Sequence, residues 1–444
     1  MKNEVLFRDK PVWNAIFSLA IPACITIMIM TIYNMADMFF IGMIRDTAQV
    51  AAVSIVSPMF SLIMAAATML GAGGCSVVAN AIGVGKVEEA KTFSSLCCAA
   101  SLSIGIICMI VILLATTPIL IVLGANNDIM KPAYTYMRML AVGSPFMLFA
   151  TGFASILRAE GAIKEGLIGN LIGTVLNIVL DPIFILVFHK GVAGAAIATV
   201  IGNVVGSAFY LYFIVKKAAV LSVNPKYAMR NPKALLYIIA IGLPNGISSL
   251  LSGVASTFSN KLLSTYGTNA IAAMAAAGKV VMVISMIQMG ICMGVQPLMA
   301  YNYGAKNTQR LKEILKKLAI LTVVLGSIVT ITCFMARKSL IGMFLKEAKV
   351  AALGESVVPY LILVSPLIGI YYLSTNFLQA AVKALPATII SVLRQGGILI
   401  PCLYLMEHFM GFMGIAAAHA VADLISVIVA AIAIAWILRE IEVN

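Results

Sequence analysis

The first long apolar stretch of the chain covers residues 13–41 and reads WNAIFSLAIPACITIMIMTIYNMADMFFI. A helix needs about 20 apolar residues to cross the hydrocarbon core of a membrane, so this stretch is long enough to span it. Its only charged residue is Asp37. A carboxylate in hydrocarbon costs several kcal/mol, so it is usually paired, solvated by a cavity or used to carry a cation or proton. Residues 13–41 therefore predict a membrane-spanning helix with a candidate functional acid.

The rest of the chain is also strongly apolar. Hydrophobic residues make up 62% of the sequence and charged residues 11%, with a mean hydropathy of +1.05. A soluble domain has about 25% charged residues, so that class is excluded. The connections are too short for a soluble domain, and the eight cysteines all lie in apolar stretches, which is typical of small buried hydrophobes. We expect an all-α polytopic membrane protein with twelve transmembrane helices. The eleven further spans are predicted near residues 48–80, 92–115, 132–153, 166–188, 192–215, 235–263, 270–300, 318–336, 355–380, 387–407 and 411–437.

The second half of the chain repeats the first with a shift of about 220 residues. Leu19-Ala-Ile-Pro22 matches Ile241-Gly-Leu-Pro244, Ser144-Pro145 matches Ser365-Pro366, and Gly191-Val-Ala-Gly194 matches Gly411-Phe-Met-Gly414. Each half has six spans, an even number, so both halves insert the same way round, related by an axis along the membrane normal. We expect two six-helix lobes, residues 1–217 and 235–444, joined by a cytoplasmic connection over residues 218–234.

The net charge of +13 is explained by topology. Most of the 30 Lys and Arg residues fall in the connections on one side, which the positive-inside rule makes cytoplasmic. We expect a multi-pass protein of the cytoplasmic (inner) membrane, with both termini in the cytoplasm. Its expected partners are membrane lipids and not nucleic acid, and we expect a monomer.

Small residues recur every four positions in spans six and twelve, which lets helix backbones approach closely. They are Gly194, Ala198, Gly202 and Gly206 in the first half, and Gly414, Ala418, Ala422 and Ser426 in the second. Beside each row lies a polar pair four residues apart. Thr199 and Asn203 form the first pair, and His419 and Asp423 form the second. We expect both pairs to point into the protein.

Asp181 and Asp423 join Asp37 as the acids embedded in apolar stretches. Asp37 and Asp181 belong to the first half, and the second half has no acid at the matching places. Asn177 and Asp181 are four residues apart and share one helix face. Asp423 and Arg394 lie at similar depths in consecutive spans, which predicts an ion pair. With His419 they form a second polar cluster, for which a structural role and a second proton site both stay open.

Several motifs in this order resemble the multidrug and toxic compound extrusion (MATE) transporters, closest to their DinF-like and MepA-like branch. They are Tyr33-Asn-Met-Ala-Asp37, Leu157-Arg-Ala-Glu-Gly161, Asn177-Ile-Val-Leu-Asp181-Pro182, Gly194-Ala-Ala-Ile-Ala-Thr199, Gln296-Pro297 and Tyr301-Asn-Tyr-Gly-Ala305. The resemblance implies a transporter, not an enzyme, whose two lobes form a V and which exports organic cations, drugs or dyes in exchange for protons or sodium ions. It also implies a cation-linked site in the first lobe, at the positions of Asp37, Asn177, Asp181 and Thr199.

Two carboxylates in such a site are expected to share a proton near neutral pH. Na⁺ could replace that proton, with oxygens of Asn177 and Thr199 as further ligands, so no cofactor other than the coupling ion is expected. Pro22 and Pro182 are candidate helix kinks because proline removes a helical hydrogen bond. The candidate substrate cavity comprises Tyr33, Asn34, Met35, Lys279 and Gln288.

Two other functions fit parts of the pattern. A lipid-linked saccharide flippase of the same superfamily would favour a cleft with several cationic residues, and only Lys279 and Arg394 are obvious. An intramembrane aspartyl protease would use two acids on separate spans. The Gly-x-Gly-Asp signature of such proteases is absent around Asp37 and Asp181.

Overall fold

The computed structural model describes residues 4–44, 46–345 and 347–443, and every regular element in this part of the chain is a helix. Helices α1 to α9 are Glu4–Arg8, Val12–Gly42, Thr47–Gly83, Val87–Val122, Asn127–Ala159, Ile163–Pro182, Val192–Lys216, Pro225–Ala228 and Ala234–Ser264. Helices α10 to α17 are Thr268–Gly304, Thr308–Met335, Arg337–Phe344, Ala348–Ile362, Ile368–Ala380, Ala384–Val392, Leu399–Met410 and Phe412–Val443.

Eleven helical segments in the described ranges are long and apolar enough to cross a membrane. They correspond to eleven of the twelve predicted spans. The remaining prediction, residues 355–380, is formed by two shorter helices, α13 and α14, separated by turns at residues 363–367. Pro366 lies in this break and cannot donate a backbone hydrogen bond, which favours the interruption.

Two spans contain a π-helical turn. Helix α6 ends at Pro182 and continues as the π-helical segment Ile183–Val187. Pro182 was predicted as a kink, and the change of helix type follows it directly. In the second half, the π-helical segment Leu393–Ile398 joins α15 to α16 and carries Arg394. Such turns are frequent at functional sites because they redirect side chains.

The chain divides into two compact units. The first contains residues 4–9 and the described part of 25–242, and the second contains residues 10–24 and the described part of 243–443. The beginning of α2 therefore groups with the second half of the sequence, and the beginning of α9 groups with the first. The bounds of these units differ from those of the two lobes that the repeat predicts, and the lobe boundaries stay a prediction.

Glycines bring the helices beside the polar pairs into close contact, as the four-residue spacing predicted. A Cβ atom on Gly202 of α7 would lie 2.5 Å from the Gly173 carbonyl oxygen of α6, and one on Gly414 would lie 1.9 Å from the Met406 carbonyl oxygen. Real side chains do not approach backbone atoms so closely, so only glycine allows these contacts. The contact of α6 with α7 places Asn177 opposite Thr199.

The connection after α7 is held by one buried acid. Glu160 accepts hydrogen bonds from the backbone amides of Ala219 (2.8 Å), Val220 (3.1 Å) and Leu221 (2.8 Å). Only 6% of Glu160 is exposed, so its carboxylate supplies acceptors to amides that water cannot easily reach. Glu160 therefore fastens the start of the predicted 218–234 connection to the end of α5.

Candidate functional site

Helices α2, α6 and α7 bring the four predicted coupling residues together in the first unit. Asp181, Asn177 and Thr199 are buried, with 0%, 2% and 7% of their surfaces exposed. Asp37 is partly buried and close enough to Asp181 for the two carboxyl groups to interact electrostatically. Residues far apart in the sequence thus form one polar cluster inside an apolar protein.

The Asn177 amide connects Asp181 to Thr199. With its nitrogen facing Asp181, it donates to Oδ2 of that residue at 3.0 Å. Its oxygen then accepts from the Thr199 backbone amide at 2.9 Å and from the Thr199 hydroxyl at 3.2 Å. We assign this orientation because it satisfies both ends of the amide. Asn177 therefore presents a donor, and not an oxygen ligand, to the buried carboxyl group.

Neither carboxyl group has a basic partner. In the described ranges no Lys or Arg forms an ion pair with Asp37 or Asp181. Oδ1 of Asp37 and Oδ1 of Asp181 are both buried without a hydrogen-bond partner. A buried charge without compensation is very costly, so each acid is stable here only when neutralised by a proton or a cation. The arrangement can therefore bind and release positive charge.

Two tyrosines complete this cluster. The Tyr33 hydroxyl lies 3.3 Å from the Thr199 hydroxyl, and Tyr33 interacts electrostatically with both acids. Tyr136 of α5 also interacts with both acids and is buried. Tyr136 was not among the site residues predicted from the sequence. Its only signal in the sequence was a phenol group within an apolar span. Tyrosine commonly occurs at such positions without belonging to a functional site, so this signal is weak.

A cavity of about 90 Å³ adjoins the cluster. Its size suits several water molecules or a small ion, and it is below the roughly 300 Å³ of pockets for drug-sized ligands. Its polar lining includes Tyr33, Asn170, Thr174, Asn177, Thr199 and Asn203. The predicted inward orientation of the Thr199 and Asn203 pair agrees with this lining.

The predicted substrate-cavity residues are divided between the two units, with residues 33–35 in the first and Lys279 and Gln288 in the second. Tyr33 belongs to the cluster, Met35 is 63% exposed, and Lys279 is exposed on α10. The Asn34 side chain lies outside the described part of the chain. Gln288 is fully buried and donates to the Ser365 carbonyl oxygen at 2.8 Å. Its amide therefore binds a carbonyl group at the break in span ten, and the substrate cavity stays a prediction.

The second polar cluster lies in the second unit. Arg394 Nε donates to Asp423 Oδ1 at 2.8 Å, so the two residues form the ion pair expected from their depths. The guanidinium group of Arg394 also lies over the rings of Tyr371 and Tyr372, at 4.6 and 5.6 Å from the centroids. His419 interacts electrostatically with Asp423 and Arg394. This cluster therefore contains its own compensating charge, unlike the pair of acids in the first unit.

Outside the spans, Asp46 is the N-cap of α3. Its carboxylate accepts from the side chain of Gln49 at 3.0 Å and from the backbone amide of Ala48 at 3.0 Å. These hydrogen bonds, first that of Gln49, hold the pKa of Asp46 below its usual value. Gln49 in turn accepts from the Val192 amide at 3.0 Å. Asp46 and Gln49 thereby join the beginnings of α3 and α7, two of the helices that surround the site.

Known proteins match the chain over its whole length. The MatE family profile matches residues 22–183 and again residues 244–405, which confirms the repeat. The multidrug export protein MepA of Staphylococcus aureus (strain MSSA476) is 30% identical over 99% of this chain and 97% of its own length. MepA of Staphylococcus saprophyticus is also 30% identical over the same shares.

Solved structures agree with this assignment. A crystal structure of MATE in complex with MaD3S has a TM-score of 0.94 and 25% identity, with all of both chains covered. The outward-facing conformation of a multidrug resistance MATE family transporter of the MOP superfamily has the same TM-score and identity, with 100% of this chain and 99% of that chain covered. Two matches to the family profile and the full-length relatives lead to one conclusion: the chain belongs to the multidrug and toxic compound extrusion family and is a membrane transporter, not an enzyme.

Proposed function

We propose that this transporter exports organic cations by antiport, with Asp37 and Asp181 as the acids that carry the coupling ion. The single observation that carries this proposal is the pair of interacting carboxyl groups without a basic partner in the described residues. The relatives are multidrug export proteins, which supports drugs or dyes as the exported class.

Competition for the same negative charge provides the coupling. A bound organic cation and a bound proton both neutralise the acids, so either one weakens the binding of the other. When the acids face the side with the higher proton concentration, protonation expels the organic cation. When they face the cytoplasm, deprotonation restores the negative charge and allows another cation to bind. Export further requires the proposed placement in the cytoplasmic membrane with both termini in the cytoplasm.

Among coupling ions, the orientation of Asn177 favours the proton. Its amide nitrogen points to Asp181, while its oxygen is occupied by Thr199. A Na⁺ site at Asp37, Asn177, Asp181 and Thr199 would need the amide reversed so that its oxygen joined the carboxylates. Sodium coupling is therefore the second candidate. It is favoured by the closely grouped oxygen atoms of Asp37, Asp181 and Thr199.

A saccharide flippase receives less support. Its anionic substrate would be repelled by Asp37 and Asp181, and Arg394 already forms an ion pair with Asp423. The protease alternative is excluded because the chain belongs to a family of transporters. Cation export therefore fits the charges of the protein better.

Ethidium efflux from proteoliposomes tests the proposal. A proton gradient and a sodium gradient are imposed in separate experiments. We expect the proton gradient to drive efflux by the unmodified protein, and we expect Asp37→Asn and Asp181→Asn each to abolish it, because an amide cannot exchange a proton. Asp128→Asn, at an exposed position of α5, is the matched control and should transport normally.

Three results would contradict the proposal in different ways. Near-normal efflux by both variants would show that Asp37 and Asp181 do not carry the coupling ion. A larger defect in Asp423→Asn than in Asp181→Asn would move the coupling site to the second unit. Efflux driven only by the sodium gradient, and lost in the same two variants, would replace the proton by Na⁺ at the same site.

A further inference from the structure

The second unit contains a cavity that is larger than the one beside Asp37 and Asp181. It has a volume of about 290 Å³, close to the lower limit for pockets that hold small organic ligands. One part of its lining is apolar and includes Leu263, Met274 and Leu399. The other part is polar and is formed by Asn260, Gln395, Arg394, His419 and Asp423. An amphipathic molecule would match both parts of this wall.

The Arg394 and Asp423 ion pair forms part of this wall. Their side chains are 14% and 21% exposed, so the pair can be reached from the cavity. The pair uses Arg394 Nε and Asp423 Oδ1, which leaves the rest of each charged group for other contacts. Tyr371 and Tyr372 stack on the guanidinium group and hold it in place.

The two cavities occupy equivalent positions in the repeat but differ in charge. Thr199 and Asn203 line the first, and their counterparts His419 and Asp423 line the second. In the same way, Arg394 stands where the first half has Gly173. The first cavity adjoins two acids that have no basic partner among the described residues, whereas the second contains one acid paired with one base. The duplication has therefore kept the cavity and changed the ligand chemistry.

A balanced ion pair selects against ligands with a single charge. A cation that approached Asp423 would meet the guanidinium group beside it, and an anion that approached Arg394 would meet the carboxylate. A ligand with both charges can place its carboxylate on Arg394 and its amine on Asp423. It would then exchange one internal ion pair for two pairs with the protein and leave no buried charge unpaired.

We propose that the second-unit cavity is a binding site for amphipathic zwitterions that carry an amine and a carboxylate. Arg394 and Asp423 bind the two charges, and the apolar wall holds the hydrophobic body. This site is separate from the coupling site, and the proposal does not depend on the role of Asp37 and Asp181.

Three fluorescent probes with one scaffold test the charge preference. Nε-dansyl-lysine is a zwitterion, dansylcadaverine is the same molecule without the carboxylate, and dansyl-6-aminohexanoate is the same molecule without the amine. Each is titrated against the full-length Asp37→Asn, Asp181→Asn double variant in nanodiscs, because that variant lacks the proposed cation site of the first unit. We expect the zwitterion to bind at least about ten-fold more tightly than either singly charged probe. Equal binding of the zwitterion and the cation would overturn the proposal.

Variants that remove one charge of the Arg394 and Asp423 pair should change which of the three probes binds most tightly. Arg394→Gln leaves Asp423 as the only charge of the pair and should make dansylcadaverine the best ligand. Asp423→Asn leaves Arg394 and should make dansyl-6-aminohexanoate the best ligand. A merely destabilised protein would lose all three ligands and would not exchange their order. An unchanged preference for the zwitterion in both variants would show that the pair does not bind it.

A cavity-filling variant tests the location without touching the ion pair. Gly278 lines the cavity, and a Cβ atom added there would have no atom within 4 Å. Gly278→Leu should therefore fold and lower the affinity for Nε-dansyl-lysine at least ten-fold. Gly253→Leu is the matched control, because Gly253 has the same free space and does not line the cavity. Equal affinities in the two variants would place the ligand elsewhere.

The first-unit site provides a further control. Loss of zwitterion binding in Asp37→Asn would assign the probe to the first-unit site and overturn the proposal.

Discussion

At the scale of single residues, the neighbours of the acids are as informative as the acids themselves. Thr199 contacts both Tyr33 and Asn177, and Asn177 contacts Asp181. These hydrogen bonds connect α2, α6 and α7 through one hydroxyl group. Asp423 is half-buried within a span, but Arg394 compensates its charge. The same residue type therefore serves two purposes according to whether a base lies beside it.

Replacement of Thr199 by valine should weaken transport while preserving the fold. The change keeps the volume but removes the hydroxyl that holds Tyr33 and orients Asn177. We expect about a ten-fold loss of ethidium efflux, equivalent to about 1.4 kcal/mol, measured in proteoliposomes under a proton gradient. Thr199→Ser keeps the hydroxyl and should recover most of the activity. If valine and serine act alike, the hydroxyl has no role.

At the scale of elements, span ten shows how the two halves have diverged. In the first half, Ser144 and Pro145 lie inside the continuous helix α5. In the second half, the matching Ser365 and Pro366 lie in the break between α13 and α14. Gln288 occupies the position that Ala67 has in the first half, and it donates to the Ser365 carbonyl oxygen. A proline alone therefore does not break the span, and the buried amide stabilises the interrupted form.

Gln288→Ala gives position 288 the residue type that the first half has at the matching position, Ala67. The change removes a hydrogen bond to the break and leaves a cavity, so we expect a loss of about 2 kcal/mol in stability. A lower melting temperature of the purified protein would show this loss. Gln309→Ala, at an exposed position of α11, is the control and should leave the melting temperature unchanged. An equally stable Gln288→Ala protein would mean that the break does not need the amide.

At the scale of the whole molecule, a duplicated fold carries two different electrostatic environments. Both units contain a polar cavity at equivalent positions of the repeat. The first adjoins acids that need an external positive charge, and the second contains a neutral pair. Under the proposed function, coupling to an ion belongs to the first cavity.

The whole transporter should bind organic cations more weakly as the pH falls. Protonation neutralises Asp37 and Asp181, so one-proton competition lowers the ethidium affinity by up to about ten-fold per pH unit. Ethidium fluorescence with the protein in nanodiscs, from about pH 5 to about pH 9, measures this dependence. The double variant Asp37→Asn, Asp181→Asn should show weak binding with no such slope. A slope retained in that variant would assign the pH dependence to other groups.

Much of the fold follows from local sequence. The length of the apolar stretches predicts the spans, because a membrane sets the number of residues that a crossing helix needs. The repeat predicts two similar halves, and the four-residue rows of small residues predict that another helix packs closely against that face of α7. For the site, the cost of a charge in an apolar span was enough to select Asp37, Asp181 and Asp423, and the resemblance to the MATE family added Asn177 and Thr199.

Other features depend on atoms that are distant in the sequence. Tyr136 joins the site, and Gln288 binds the Ser365 carbonyl oxygen, because helix packing decides which side of a span faces a partner. The position of Arg394 in a π-helical segment, over two tyrosines, also has no local signal. By itself the sequence determined the membrane-spanning helices, their duplication and the presence of buried acids, because these follow from hydropathy and spacing along one chain. Only the tertiary structure decided which acid has a basic partner, because compensation of a charge depends on distances between helices.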